Sequence, residues 1–322
     1  MATYKEIRGT QIEAVATDPS NPVEGQVWYN TTSNVLKGNA ATAAGAWATG
    51  GTLNTARYGG GSAGIQTAAL YFGGITVPPV TAVVESYNGT SWTEVNDLNT
   101  GRTVTGAGTN TSALAFGGSP PITGKTESWN GTNWTEVNDL NTARWGSGGA
   151  GADNTACLAF GGETPPTTAV TETWNGTNWT EVNDLNTARH LLAGCGINTA
   201  ALAIAGHPAR TINETWNGTN WTEVADLNTG RHNLAAAGTT TNALAFGGYD
   251  GTDVTAVVEL WNGSNWTETT NLSVARYGLG GAGTYTSALG FGGIKSGSPN
   301  VANNTEEWTG AGAPLVRTFT DS

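Results

Sequence analysis

The chain has 322 residues, 47 of them glycine; only 12% are charged, and the formal net charge is −12. Thirteen tryptophans and regularly placed Val, Leu and Phe supply the apolar surface that disordered chains lack. The acidic balance disfavours nucleic acid, which needs a basic face. No run of about 18 or more apolar residues marks a membrane-spanning helix, and the polar Met1–Arg8 stretch does not read as a secretory signal.

Residues 1–45 lie outside any repeat. Within them, Asp18-Pro19 opens a turn, and strands over Val27–Asn30 and Asn34–Lys37 form a hairpin. Next comes Ala46-Trp47-Ala-Thr-Gly-Gly-Thr-Leu53, one strand with no partner ahead of it. From there a phrase recurs: Glu-x-Trp-Asn-Gly-Thr-x-Trp-Thr-Glu-Val-x-Asp-Leu-x-Thr-x-Arg. Its second tryptophan falls at Trp47, Trp92, Trp134, Trp179, Trp221 and Trp266. Its arginine falls at Arg57, Arg102, Arg144, Arg189, Arg231 and Arg276. Both series step by 45, 42, 45, 42 and 45 residues. A period in the forties with short strands and Gly-Gly punctuation points to a β-propeller.

Each repeat reads as four antiparallel strands. After the arginine comes a small-residue strand such as 145–151, suited to crowding around an axis. A buried apolar strand such as Thr155–Phe160 follows, closed by Gly161-Gly162. Thr171–Trp174 and Trp179–Val182 then flank Asn175-Gly176, a hairpin signal in which both turn residues favour positive φ. Trp174 and Trp179 should share a face, large enough to seal one blade against the next. The sixth set ends at Trp308 without an outer strand, and the surplus strand at Ala46–Leu53 is expected to fill that place. The tail, Ala313–Thr320, is a rival for the same edge. Cys157 and Cys195 read as small buried thiols, with a disulfide the alternative.

The Gly-Gly pair, the Glu-x-Trp/Tyr, the following Trp and the next Arg together resemble kelch repeats over roughly residues 46–310. Ala205-Gly206 departs from the Gly-Gly pattern. The resemblance implies an all-β, six-bladed kelch-like propeller over 46–312, closed by the N-terminal strand, with a leader over 1–45 and a tail over 313–322.

The segments that differ most between repeats are Ile75–Val80, Ser119–Gly124, Glu163–Thr168, His207–Thr211, Tyr249–Asp253 and Ile294–Asn303, together with the residues after each arginine: Tyr58, Thr103, Trp145, His190, His232 and Tyr277. Strand alternation places both sets on one rim, where a rigid scaffold presents its binding loops. For the arginines two readings stand open. Each pairs with a repeat carboxylate such as Asp139 or Glu136, or six guanidinium groups ring the rim and grip acidic groups bidentately. Kelch domains that this chain resembles often bind partners at that mouth. The candidate ligand-binding rim is therefore Arg57, Tyr58, Arg102, Arg144, Trp145, Arg189, His190, His207, Arg231, His232, Arg276 and Tyr277. His190, His207 and His232 are possible zinc or copper ligands, but no repeat-breaking Asp, Glu or Cys stands beside them. Neither a metal, a cofactor nor a catalytic constellation is expected.

The leader phrase Gly25-Gln26-Val27-Trp28-Tyr29-Asn30-Thr31-Thr32-Ser33-Asn34-Val35-Leu36-Lys37 resembles a hairpin common in tail-fibre and other virion proteins of bacteriophages, particularly marine ones. That likeness implies a virion protein whose leader docks to other particle subunits while the propeller recognises a host receptor or an acidic glycan. The alternatives are an architectural decoration protein and a sugar-acting kelch-like enzyme.

Overall fold

The computed structural model describes residues 12–19, 26–41, 45–76, 79–297, 300–310 and 314–319. Met1–Arg8, residues 20–25 of the leader, 77–78 and 298–299 of the variable segments, and 311–313 and 320–322 of the tail lie outside the described residues. Among the described residues every regular element is a strand, and the strands form seven four-stranded sheets. The chain divides into two compact units, 46–308 and 1–45 with 309–322.

In the smaller unit, Val27–Asn30 and Val35–Ala41 pair as a hairpin with Trp28 opposite Lys37. Glu13–Val15 joins one edge in parallel. Pro314–Phe319 joins the other edge antiparallel. The tail thus completes the leader sheet instead of competing for the last repeat. Asp18 organises the hairpin by accepting from Trp28 Nε1 (3.0 Å), Asn30 Nδ2 (2.7 Å) and Lys37 Nζ (2.7 Å). These donors, Lys37 foremost, hold its carboxyl down at a pKa of about 2.

The larger unit contains six sheets in a propeller-like arrangement. Sheet 1 runs Gly61–Ile65, Ala68–Phe72, Val84–Tyr87, Trp92–Val95, in that spatial order. Sheets 2 to 5 repeat it, starting at Thr103, Gly148, Ala193 and Ala235. Sheet 6 has Gly280–Gly283, Ser287–Phe291 and Thr305–Thr309, with Ala46–Thr49 as its fourth strand. Gly50 N and Leu53 N continue that edge by donating to Thr305 O and Asn303 O, each at 2.9 Å.

First strands of successive sheets lie side by side, the sixth beside the first. Small residues are needed there: a Cβ at Gly148 would sit 2.3 Å from the Phe160 ring. Between sheets, aromatic residues form the seams, as where Phe160 meets Trp221 at 4.9 Å in a core with Leu158 and Leu192. The Asn-Gly hairpins have the expected strand bounds but differ in the turn itself, where Asn and Gly are both expected to favour positive φ. Trp174 pairs with Trp179 across a four-residue loop in which only Gly176 has positive φ. The reason is local: Asn175 Oδ1 accepts from both Thr177 N and Asn178 N at 2.9 Å, closing an Asx turn. Ala205 holds φ 55° where the other repeats place glycine (Gly161, φ 63°), so sheet 4 keeps the turn at some conformational cost.

Candidate binding rim

The repeat arginines are buried, not displayed. Each guanidinium is 0–1% exposed and meets the glutamate of the third strand in its own sheet. Arg57 pairs with Glu85, Arg102 with Glu127 (2.5 Å), Arg144 with Glu172 (2.7 Å), Arg189 with Glu214 (3.2 Å), Arg231 with Glu259 (2.6 Å) and Arg276 with Glu306 (2.9 Å). The opposite carboxylate oxygen receives the incoming linker: Asn141 N and Nδ2 donate to Glu172 Oε2 at 2.7 and 2.9 Å. Arginine and glutamate together therefore clamp each linker to the sheet it enters. The reading of an accessible cationic ring is corrected, because burial and pairing leave no guanidinium face for a ligand. Asp139 and Glu136 are not the partners either. Asp139 accepts from Thr126 N and Glu136 from Lys125 Nζ.

The residues that follow the arginines do reach the rim, and each pairs with the residue after a Gly-Gly or Ala-Gly turn. Isolated bridges join Tyr58 to Ile75, Trp145 to Glu163, His190 to His207, His232 to Tyr249, and Tyr277 to Ile294. Their rings make one continuous arc across sheets 3 to 6. Trp145 lies 5.8 Å from His190, His190 5.2 Å from His207, and His207 5.6 Å from His232; His232 lies 5.5 Å from Tyr249, and Tyr249 5.9 Å from Tyr277. Interplanar angles of 53–77° set edges against faces. All six rings are half-buried. Thr103 interrupts the pattern in sheet 2. Tyr249 is the member that the sequence did not single out; its place directly after Gly247-Gly248, equivalent to His207, was the available signal.

Beneath the arc, residues in the left-handed region turn the chain into the first strand: Gly59, Gly146, Leu191, Asn233 and Gly278, with φ of 53–66°. Their backbones are bonded in series. Val104 N donates to Gly59 O (3.3 Å), Gly59 N to Gly278 O (2.8 Å), Gly278 N to Asn233 O (2.8 Å), Asn233 N to Leu191 O (2.7 Å) and Leu191 N to Gly146 O (2.6 Å). The rim thus rests on a series of backbone hydrogen bonds that runs from Val104 to Gly146. Within it lies a central cavity of about 370 Å³ lined mainly by glycine and alanine of the first strands, with no Asp, Glu, His, Lys or Arg on its wall.

His190 and His232 are held towards neutrality. Burial lowers the His190 pKa against the opposing pull of Glu163, whose Oε2 lies 3.3 Å from Nε2. Thr167 Oγ1 shares a hydrogen bond with His190 Nδ1 at 3.1 Å. Burial, helped by Arg210 and the other two histidines, brings His232 to about 4. The three rings meet edge to face, and among the described residues no three His, Cys, Asp or Glu side chains converge as a metal site. Cys157 and Cys195 are buried free thiols; burial raises the pKa of both, Cys195 to about 12.

No protein-family model matches the chain, and no curated protein aligns with it significantly.

Proposed function

We propose that the six sheets are the blades of one closed kelch-like propeller, carried on a bacteriophage particle as a non-enzymatic recognition module that contacts its target through the aromatic rim. Closure is supported by the junction between sheets 1 and 6. There Gln66 Nε2 donates to Ala288 O (3.0 Å) and Trp308 O (2.7 Å), Ser62 Oγ to Gly281 O (2.9 Å), Tyr87 OH to Glu307 Oε1 (2.5 Å) and Trp92 Nε1 to Thr305 Oγ1 (2.9 Å). The virion assignment draws on the leader phrase alone.

The observation that carries the recognition reading is the contrast between the arc and its support. The buried Arg–Glu clamps recur in all six sheets, whereas the rim above them holds Tyr58, Thr103, Trp145, His190, His232 and Tyr277. A repeating scaffold with a varied half-buried aromatic edge is suited to binding. The test is adhesion of the purified chain to bacterial surfaces. Trp145→Ala should weaken it by ~1–3 kcal/mol without moving the melting temperature. Asn175→Ala, in the hairpin loop at the far end of the third strand, should lower stability and leave adhesion alone. Adhesion unaffected by Trp145→Ala, Tyr249→Ala and Tyr277→Ala would instead favour an architectural role.

A further inference from the structure

We infer that the arc from Trp145 to Tyr277 is a track for an uncharged saccharide chain. This deepens the recognition reading proposed above and rests on it. Three features of the rim set the ligand class.

The first is charge. An acidic glycan needs accessible guanidinium or ammonium groups, but the six repeat arginines are sealed against glutamates. The charged side chains beside His190 and His232 are Glu163 and Arg210, one of each sign. Arg210 is itself engaged, with Nη1 donating to Asp250 O at 2.9 Å. The chain as a whole carries −12 and would repel a polyanion.

The second is shape. Six rings succeed one another at centroid separations of 5.2–5.9 Å across four neighbouring sheets, so the apolar surface is a strip and not a cage around a single cation. A strip fits an extended chain of repeating units.

The third is amphipathic texture. Successive rings are tilted by 53–77°, so ring faces and ring edges alternate along the strip, and polar groups stand beside it in Glu163, next to His190, and the Tyr249 hydroxyl, which donates to Thr252 O. Sugar rings match that texture: their C–H faces lie on aromatic faces, and their hydroxyls bond to those polar groups.

Isothermal titration of the full-length protein with neutral dextran, mannan and β-glucan oligosaccharides, and with acidic alginate and polygalacturonate oligosaccharides, tests this. A neutral oligosaccharide should bind, with affinity unchanged between about 50 and 300 mM NaCl. Trp145→Ala and Tyr249→Ala should each weaken binding by about tenfold at unchanged melting temperature. Preferential, salt-sensitive binding of the acidic oligosaccharides would overturn the inference while leaving rim recognition intact. So would failure of every neutral probe by a protein that still adheres to cells through Trp145. Failure of the probes together with adhesion indifferent to the rim would remove the recognition reading itself.

Discussion

Val84→Thr should stabilise the larger unit, and the reason lies in how three outer tryptophans meet the sheet before them. Trp179 Nε1 donates to Thr126 Oγ1 (3.1 Å), Trp221 to Thr171 (3.1 Å) and Trp92 to Thr305 (2.9 Å), in each case to the residue that opens the preceding sheet's third strand, whereas Trp47 donates to Thr270 O and Trp266 Nε1 has no acceptor among the described residues. Sheet 1 has Val84 at that position, fully buried in one cluster with Trp134. Among the described residues Trp134 Nε1 accordingly has no acceptor. Threonine would supply one, and its own proton could go to Ala82 O, as Thr126 donates to Gly124 O at 3.2 Å.

Replacing a buried methyl with hydroxyl costs about 0.8 kcal/mol, against about 1 kcal/mol for each of two hydrogen bonds and relief of an unsatisfied indole N–H. The net expectation is a gain of about 1 kcal/mol. It should appear as a higher urea midpoint with an unchanged slope. A double-mutant cycle with Trp134→Phe isolates the contact. A Val84→Thr effect that is destabilising, or identical with and without the indole nitrogen, would refute the reasoning. The reverse change, Thr126→Val, should cost about 1–3 kcal/mol by orphaning Trp179.

Glu172→Ala should cost about 3–5 kcal/mol, because it strands the buried Arg144 and releases the Asn141 linker; thermal unfolding measures it. Truncation after Gly45 should leave the melting of the larger unit in place. Truncation after Leu53 also removes Trp47, which packs 5.3 Å from both Phe246 and Trp308, and should cost about 3–5 kcal/mol. In the smaller unit Asp18 has a pKa below its unfolded value of 3.8, so its contribution is present above pH 4 and is lost as pH falls towards 2. Asp18→Asn should flatten that acid transition in circular dichroism of the leader sheet.

The strand order was legible because the apolar phrase is written afresh in every repeat, and the strand around Trp47 could be placed by the missing partner after Trp308. The clamp was less legible. A guanidinium can turn towards any nearby carboxylate, and sequence proximity favoured Asp139 over Glu172, which lies 28 residues from Arg144 and reaches it only through sheet pairing. Tyr249 opens the variable segment Tyr249–Asp253, yet its membership of the arc was not legible, because the arc alternates between two loops and its neighbours are adjacent in space but not in the chain. Pro314–Phe319 carries no repeat signal, and its partner, Val35–Ala41, lies at the other end of the sequence.

Hydroxyl-radical footprinting of the intact protein, free and adsorbed on the bacterial surface polysaccharide that retains it, addresses the recognition surface directly. Protection is expected at Trp145, His190, His207, His232, Tyr249 and Tyr277. Ile65, Ile197 and Tyr285, which are 54%, 43% and 39% exposed near the turns at the far end of the first strands, should stay as reactive as in the free protein. Protection of Ile65, Ile197 and Tyr285 with the aromatic arc left open would contradict the assignment of recognition to this rim.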